Sequence, residues 1–222
     1  MQVLWGGEIM RKFVGWWRPN RVIGGLGLVV LLVFSLWYRG GQNPISEAEQ
    51  QLYWERLQQL PADIQPFVDL EATREFMRTD DGKAFYVVNL FKLKQTTQYL
   101  LPGMPTISGR EAMNRFSRAA IPIWLRHATH PVFASGVSER FSDDWDFVTV
   151  VRYRSRRDFV AIQTSAEFGS ALSYRLAASE ENIRVKLPGV LIPSPILVVG
   201  LLVLMVFIVV NLFNRKTNND YR

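Results

Sequence analysis

The sequence predicts an α+β domain held between two transmembrane helices. Two long apolar runs lie near the ends of the 222-residue chain, and the segment between them alternates strand-like runs with capped amphipathic helices in the order β-α-β-β-α-β. These observations divide the chain into a tail at 1–21, a span at 22–38, a linker and helical preface at 39–80, an α+β domain at 81–188, a span at 190–213 and a tail at 214–222.

Both apolar runs are long enough to cross a bilayer, which takes roughly 20 apolar residues with about 17 as the lower limit. The first, 22–38, contains no charge, and the second, 196–213, has only Asn211 as a polar residue and extends back to Val190. A buried core helix is the alternative for either run. A cleaved signal peptide is a further alternative for the first, but its exit sequence SLWYRGGQ lacks a small-x-small cleavage pattern. We therefore expect two uncleaved spans in contact with the lipid bilayer.

The distribution of charge predicts the orientation of these spans. Residues 40–189 carry 18 basic and 18 acidic residues, so the flanks supply the whole net charge of +6. Basic residues close to span ends tend to stay cytoplasmic. We expect both termini in the cytoplasm and the central domain on the periplasmic or extracellular side of a bacterial inner (plasma) membrane. A neutral central domain also leaves nucleic-acid binding without electrostatic support.

The preface at 39–80 is predicted to be helical. Ser46 is followed three residues later by Glu49, which is the spacing of a capping box, and Pro61 ends the helix that they open. A second helix at about 70–78 ends at the turn TDDG.

The first half of the α+β domain contains one strand and one helix. The strand AFYVVNLFKLK begins at Ala84 and is apolar on both faces, so we expect both faces to be covered. A loop through Pro102 and Gly103 leads to a helix from Arg110, which Pro122 is expected to kink or split.

The second half supplies the remaining strands and helix. Strands are predicted at 132–138 and 146–154, joined by a polar turn at 142–144. Ser155 and Asp158 open a helix that is expected to break near Thr164 and to restart with Ser165 as its N-cap. A short last strand follows at 182–187.

The strands FYVVNLFKLK and FVTVVRYRS and the helical stretch SRRDFVAIQTSAEFGSALSYRLAAS resemble the dimeric α+β barrel proteins, a ferredoxin-like superfamily, and above all an uncharacterised bacterial subfamily of it. The similarity covers about residues 84–187 and lies in packing and capping patterns such as Ser-x-Glu-Phe and Arg-Leu-Ala. It implies a homodimer in which two sheets pair, face to face or edge to edge, into one barrel. Helices would then cover one face of each sheet and the barrel interior the other.

Asn89 is the main candidate for ligand binding because it is a polar residue in the middle of a mostly apolar strand face. If that face lines the barrel, the amide of Asn89 can orient a small ligand. The alternative is an amide satisfied by the backbone or by a cross-strand partner. Its candidate neighbours in a ligand site are Tyr86, Trp124, Thr149, Arg152 and Tyr153.

His127 and His130 are weak candidates for a metal site. Their H-x-x-H spacing would place both rings on one helical face. The segment offers no third ligand and Pro131 ends the helix, so we predict a structural role and no metal. The chain has no cysteine, which excludes thiolate metal sites and cysteine nucleophiles.

A basic run at Arg152, Arg154, Arg156 and Arg157 has two interpretations. One is a site for an anion or a lipid headgroup. The other, which we prefer, is a solvated edge whose charge is balanced by nearby acids. Those acids are Asp143, Asp144, Asp146 and Asp158.

The sequence contains no P-loop, no GxGxxG and no GxSxG, so we predict no cofactor and no catalytic residue. The expected function is a membrane-anchored module that binds a small ligand or another membrane protein. The resemblance leaves open a cofactor-independent oxygenase or isomerase acting on an apolar molecule. A structural subunit of a membrane complex is the third alternative.

Overall fold

The computed structural model describes residues 5–40, 43–61, 64–99, 105–137, 145–189 and 192–220, with side chains described between residues 22 and 212. The chain forms two compact units, Arg39–Gly189 and Met1–Tyr38 together with Val190–Arg222. The predicted turn at 142–144, the loop residues Pro102 and Gly103, and the predicted start of the second span at Val190 lie outside the described residues.

The terminal unit contains two long helices, α1 (Trp5–Arg39) and α7 (Pro195–Asp220). Their most apolar windows, Val22–Arg39 and Pro195–Leu212, have mean hydropathies of 1.9 and 2.9, and only 6% and 0% of these windows is buried. Both helices are therefore long and apolar enough to span a membrane. Neither window is buried in the way that the core helix of a soluble domain is.

The helices α1 and α7 approach each other closely at a glycine. A Cβ atom placed on Gly27 would lie 2.7 Å from Cγ1 of Val203, and one on Gly24 would lie 3.4 Å from the ring of Phe207. Small residues allow this approach between apolar helices. The polar side chain of Asn211 is satisfied within α7, because its Nδ2 donates to the carbonyl oxygen of Phe207 at 2.7 Å.

The helical preface belongs to the central unit. Its predicted capping box is present, since Ser46 and Glu49 exchange both hydrogen bonds. Tyr53, Leu57 and Met77 are buried in the same hydrophobic core as the sheet. The preface elements are α2 (Glu47–Gln58), a 3₁₀ turn (Gln65–Phe67) and α3 (Leu70–Arg78).

A four-stranded antiparallel sheet forms the centre of this unit, with the strand order β2-β3-β1-β4. Along the chain, one helix connects β1 to β2 and two helices connect β3 to β4. The strands are β1 (Phe85–Leu93), β2 (His130–Gly136), β3 (Phe147–Tyr153) and β4 (Ser179–Pro188). The helices are α4 (Gly109–Arg126), α5 (Arg156–Gln163) and α6 (Ala166–Ala178).

Two predictions about the helices have different outcomes. The break after α5 is confirmed, because α6 restarts with the Ser165 side chain accepting a hydrogen bond from the Phe168 amide. Pro122 was expected to kink or split α4, and the split is wrong, because the helix continues to Arg126. Pro122 lies on the exposed side of α4, where water can satisfy the carbonyl group that loses its helical partner.

Helices cover one face of the sheet. Phe85 of β1 lies on this face, with its ring 5.5 Å from Phe76 of α3 and 5.9 Å from Phe159 of α5. Arg175 of α6 lies over the ring of Phe91, which is six residues further along β1 and therefore on the same face. We call this side the helix-facing side of the sheet.

The other side of the sheet, the open face, is apolar and partly exposed. In register across it lie Tyr86 with Leu187, Val88 with Val185, and Leu90 with Ile183. The expectation that both faces of β1 are covered holds for the helix-facing side. On its open face Tyr86 is buried, and Val88 and Leu90 are half-buried within the single chain. The exposed apolar side chains of the open face are Phe133 (54%), Ile183 (46%), Val185 (46%) and Leu187 (43%).

Candidate functional site

The six predicted ligand-binding residues do not form one cluster. Register places Asn89 opposite Thr149 on the helix-facing side and Tyr86 opposite Arg152 on the open face. Because alternate residues of a strand point to opposite faces, no single pocket on one side of the sheet contains both pairs.

Asn89 and Thr149 do meet. Nδ2 of Asn89 donates to Oγ1 of Thr149 at 3.2 Å and to the carbonyl oxygen of Val87 at 3.4 Å. The cross-strand partner considered from sequence is therefore present. The face that carries Asn89 packs against helices, so the amide does not lie on the open face where a barrel would form.

The aromatic candidates are core residues. Tyr153 stacks on Phe85 at 5.2 Å, and burial raises the pKa of its phenol to about 12. Trp124 packs edge-on against Phe116 at 5.8 Å, and its buried Nε1 has no hydrogen-bond partner among the described residues. Arg152 is buried and donates from Nη1 to the carbonyl oxygen of Ala128 at 3.3 Å.

The histidines are not on one helical face, contrary to the sequence interpretation. α4 ends at Arg126, and Ala128 takes a left-handed conformation (φ 48°) that turns the chain into β2, which begins at His130. Pairing of His130 with Arg152 of β3 draws this residue into the sheet. The described residues contain no group of three or more side chains able to hold a metal ion.

His127 instead joins a network around Asp158. Nδ1 of His127 lies 3.2 Å from Oδ1 of Asp158, and Arg154 donates two hydrogen bonds to the same carboxylate at 2.6 and 2.8 Å. Oγ of Ser155 donates a further one at 2.7 Å. Burial alone would raise the pKa of Asp158, but these hydrogen bonds outweigh it and hold the pKa well below its usual range.

The basic run is used internally. Besides the pairing of Arg154 with Asp158, Arg156 donates to the carbonyl oxygen of Phe76 at 2.7 Å and Arg157 donates to Glu49 at 3.1 Å. Arg156 also lies 3.8 Å from Asp80. Arg154 therefore connects the strand and the helix at this junction, whereas Arg156 and Arg157 connect the junction to the preface. Two of the three acids that pair with them, Asp80 and Glu49, belong to the preface.

Arg175 of α6 is a candidate that sequence reasoning missed. Its Nη2 donates to Oδ1 of Asn182 at 2.5 Å and to Oδ1 of Asn89 at 3.4 Å. Its guanidinium lies 5.1 Å from the ring centre of Phe91 and 5.7 Å from that of Phe116. The signal was present in the sequence, because Arg175 continues the buried helical stripe of Phe168 and Leu172 at a spacing of seven and three residues.

A concave region lies between the preface and α6. It is a groove of about 460 Å³ whose walls include Leu60 and Ile64 on one side and Ser165, Gly169 and Ser173 on the other. Its lining is mixed and contains one charged residue, Arg56. Its polar side chains do not converge on one group, as Asn89 and Asn182 do on the guanidinium of Arg175.

Comparisons with known proteins bear on the fold. No family model and no curated protein matches the chain. The crystal structure of methylated RPA0582 matches with a TM-score of 0.50 and 22% identity, covering 56% of this chain and 93% of that chain. A second structure of RPA0582, described as a protein of unknown function from Rhodopseudomonas palustris, matches with a TM-score of 0.49 and 22% identity. It covers 55% of this chain and 93% of that chain.

A third structure is a dimeric protein of unknown function with a ferredoxin-like fold from Bacteroides fragilis, with a TM-score of 0.34, 16% identity, and coverage of 48% of this chain and 96% of that chain. This similarity is too low to compare the two proteins further. The first match shows a shared fold alone. The central unit is an α+β domain with a four-stranded antiparallel sheet.

Proposed function

We propose that this chain is a membrane-anchored protein with a ferredoxin-like β-α-β-β-α-β domain of the dimeric α+β barrel type. The domain lies on the periplasmic or extracellular side and binds a small ligand or a partner protein. The observation that carries the proposal is the pair of exposed apolar helices, 6% and 0% buried in their spanning windows, which flank a central unit with a core of its own. A helix of this length that buries nothing within the protein is stabilised by lipid.

The position of both anchors favours a binding or assembly module. Two tethers hold the central unit near the membrane surface, which raises its effective concentration for other molecules in the same plane. The proposed orientation follows from the basic tails, with both termini in the cytoplasm.

A homodimer is part of the proposal, and the open face supports it. A second copy of the same face would cover the exposed stripe of Ile183, Val185 and Leu187 with an equally apolar surface. Removing this apolar stripe from water would stabilise the dimer in proportion to the apolar area buried. Alternate residues of a strand face opposite sides of the sheet. Asn89 lies under the helices, so Ile183, Val185 and Leu187 lie on the other side, which a second copy of the sheet would bury.

Alkaline carbonate extraction tests membrane anchoring. The full chain is expected to stay in the membrane pellet, since extraction at high pH releases proteins held by charge and retains those with helices in the hydrocarbon. The matched control is the fragment 39–189 exported without either apolar helix, which is expected in the soluble fraction. Release of the full chain into the supernatant would contradict the proposal.

A further inference from the structure

We propose that Arg175 and Arg184 form a binding site for a small carboxylate on the helix-facing side of the sheet, beneath the edge strand β4. The inference rests on the proposed function in treating the central unit as a ligand-binding domain, and it names the class of ligand. Register places Arg184 opposite Asn89, so its side chain leaves β4 on the side where Arg175 and Asn89 meet.

The charges of Arg175 and Arg184 favour an anion as the ligand. Among the described residues neither Arg175 nor Arg184 forms an ion pair with a carboxylate, whereas Arg154, Arg156 and Arg157 each lie beside one. Partly buried guanidinium groups are normally paired, because removing a charge from water is costly. Burial of Arg175 carries this cost, and the positive charge of the exposed Arg184 adds to it. An anion between the two side chains would offset both effects.

The pKa of Arg175 agrees with this geometry. Burial, reinforced by the positive charge of Arg184, lowers the pKa of the Arg175 guanidinium to about 10. The group remains protonated at neutral pH and keeps its charge without a compensating acid. A bound anion would raise this pKa again.

The hydrogen bonds leave donors free for a ligand. Asn89 and Asn182 both accept from Nη2, which holds the plane of the guanidinium in place. Nε and Nη1 donate to no described residue, and Arg175 as a whole is half-buried. β4 is an edge strand and Arg184 is exposed, so the site can be reached from that edge.

The chemistry of the site selects a carboxylate with an apolar body. The planar fork of a guanidinium matches the two oxygens of a carboxylate. The rings of Phe91 and Phe116 lie 5.1 and 5.7 Å from the same guanidinium and supply apolar surface beside it. Benzoate carries both features and is a suitable probe.

The experiment measures the unfolding temperature of the full chain in detergent, with and without benzoate at constant ionic strength. Benzoate is expected to raise it for the wild type and for the control Arg118→Gln, which removes an exposed arginine from α4. Arg175→Gln should weaken benzoate binding by at least about tenfold, because it removes charge-assisted hydrogen bonds.

A second variant keeps the test decisive if Arg175→Gln does not fold. Arg184→Gln changes an exposed side chain and should also weaken benzoate binding. The inference would be overturned if benzoate had no effect on the wild type, or if it raised the unfolding temperature of both arginine variants as much as that of the wild type. Stabilisation by inorganic phosphate and not by benzoate would overturn the carboxylate assignment. Carbonate extraction does not involve Arg175, so failure of the membrane proposal is seen separately.

Discussion

Two lysines on the open face of the sheet are expected to separate the proposed dimer into monomers. Val185→Lys combined with Leu187→Lys places two charges per copy where the proposed interface is apolar, and two-fold symmetry doubles them. Like charges that face each other across an interface cost several kcal/mol. We expect the dissociation constant of the fragment 39–189 to rise at least about 100-fold, measured by sedimentation equilibrium.

The matched control for this variant is Leu52→Lys with Phe67→Lys. These side chains are 45% and 48% exposed, as much as the residues of the open face, but they lie on the preface. The control should have the same particle mass in solution as the wild-type fragment. A wild-type fragment that is already monomeric and well folded would contradict the face-to-face dimer, and it would leave the open face to a different protein or to the bilayer.

Asp158→Asn is expected to destabilise the central unit by about 3 kcal/mol, because it removes the carboxylate that accepts two hydrogen bonds from the partly buried Arg154. The Asp158 side chain is only 8% exposed, and Arg154, Ser155 and His127 all lie within hydrogen-bond distance of it. Asparagine keeps the shape but loses the charge and one acceptor atom. The measurement is urea unfolding of the fragment 39–189 at neutral pH.

The pH dependence of stability gives this prediction a second readout. The folded state holds the pKa of Asp158 below its ordinary value of about 3.9. The carboxylate therefore stabilises the fold above that value, and this stability is lost as the pH falls through the lower, folded-state pKa. Asp158→Asn should lose less stability than the wild type on acidification.

The control is Glu75→Gln, which removes an ion pair with Arg78 whose side chains are 57% and 68% exposed. It should leave the urea midpoint almost unchanged, since exposed pairs contribute little. Equal effects of Asp158→Asn and Glu75→Gln would show that the Asp158 network does not hold the strand-to-helix junction.

The sequence allowed the local features of the fold to be predicted. Ser46, Ser155 and Ser165 were each recognised as N-caps, and each accepts the expected backbone hydrogen bond. N-caps depend on a few neighbouring residues, so their signal is contained in a short stretch of sequence. The two apolar helices were likewise found because hydropathy is read directly from composition.

Features that depend on tertiary pairing could not be predicted in the same way. His130 was expected in a helix but lies in β2, because it pairs with Arg152 of β3. Alternation in β1 separates its two faces but does not say which one the helices cover, so the sequence left open whether the face of Asn89 lines a barrel interior. Arg175 was missed because its significance comes from partners on other elements, Asn89 and Phe116, and from the lack of an acid beside it.

Labelling of single cysteines in intact cells is the most direct test of the proposed anchoring and orientation, because the chain has no cysteine of its own. Gln51→Cys introduces a thiol at an exposed position of α2, and Thr217→Cys introduces one in the predicted C-terminal tail. With a membrane-impermeant maleimide that can reach the periplasm, we expect Gln51→Cys to react in intact cells and Thr217→Cys to react only after lysis. The reverse pattern, or equal labelling of both variants before lysis, would contradict a central domain held outside the cytoplasm by two spans.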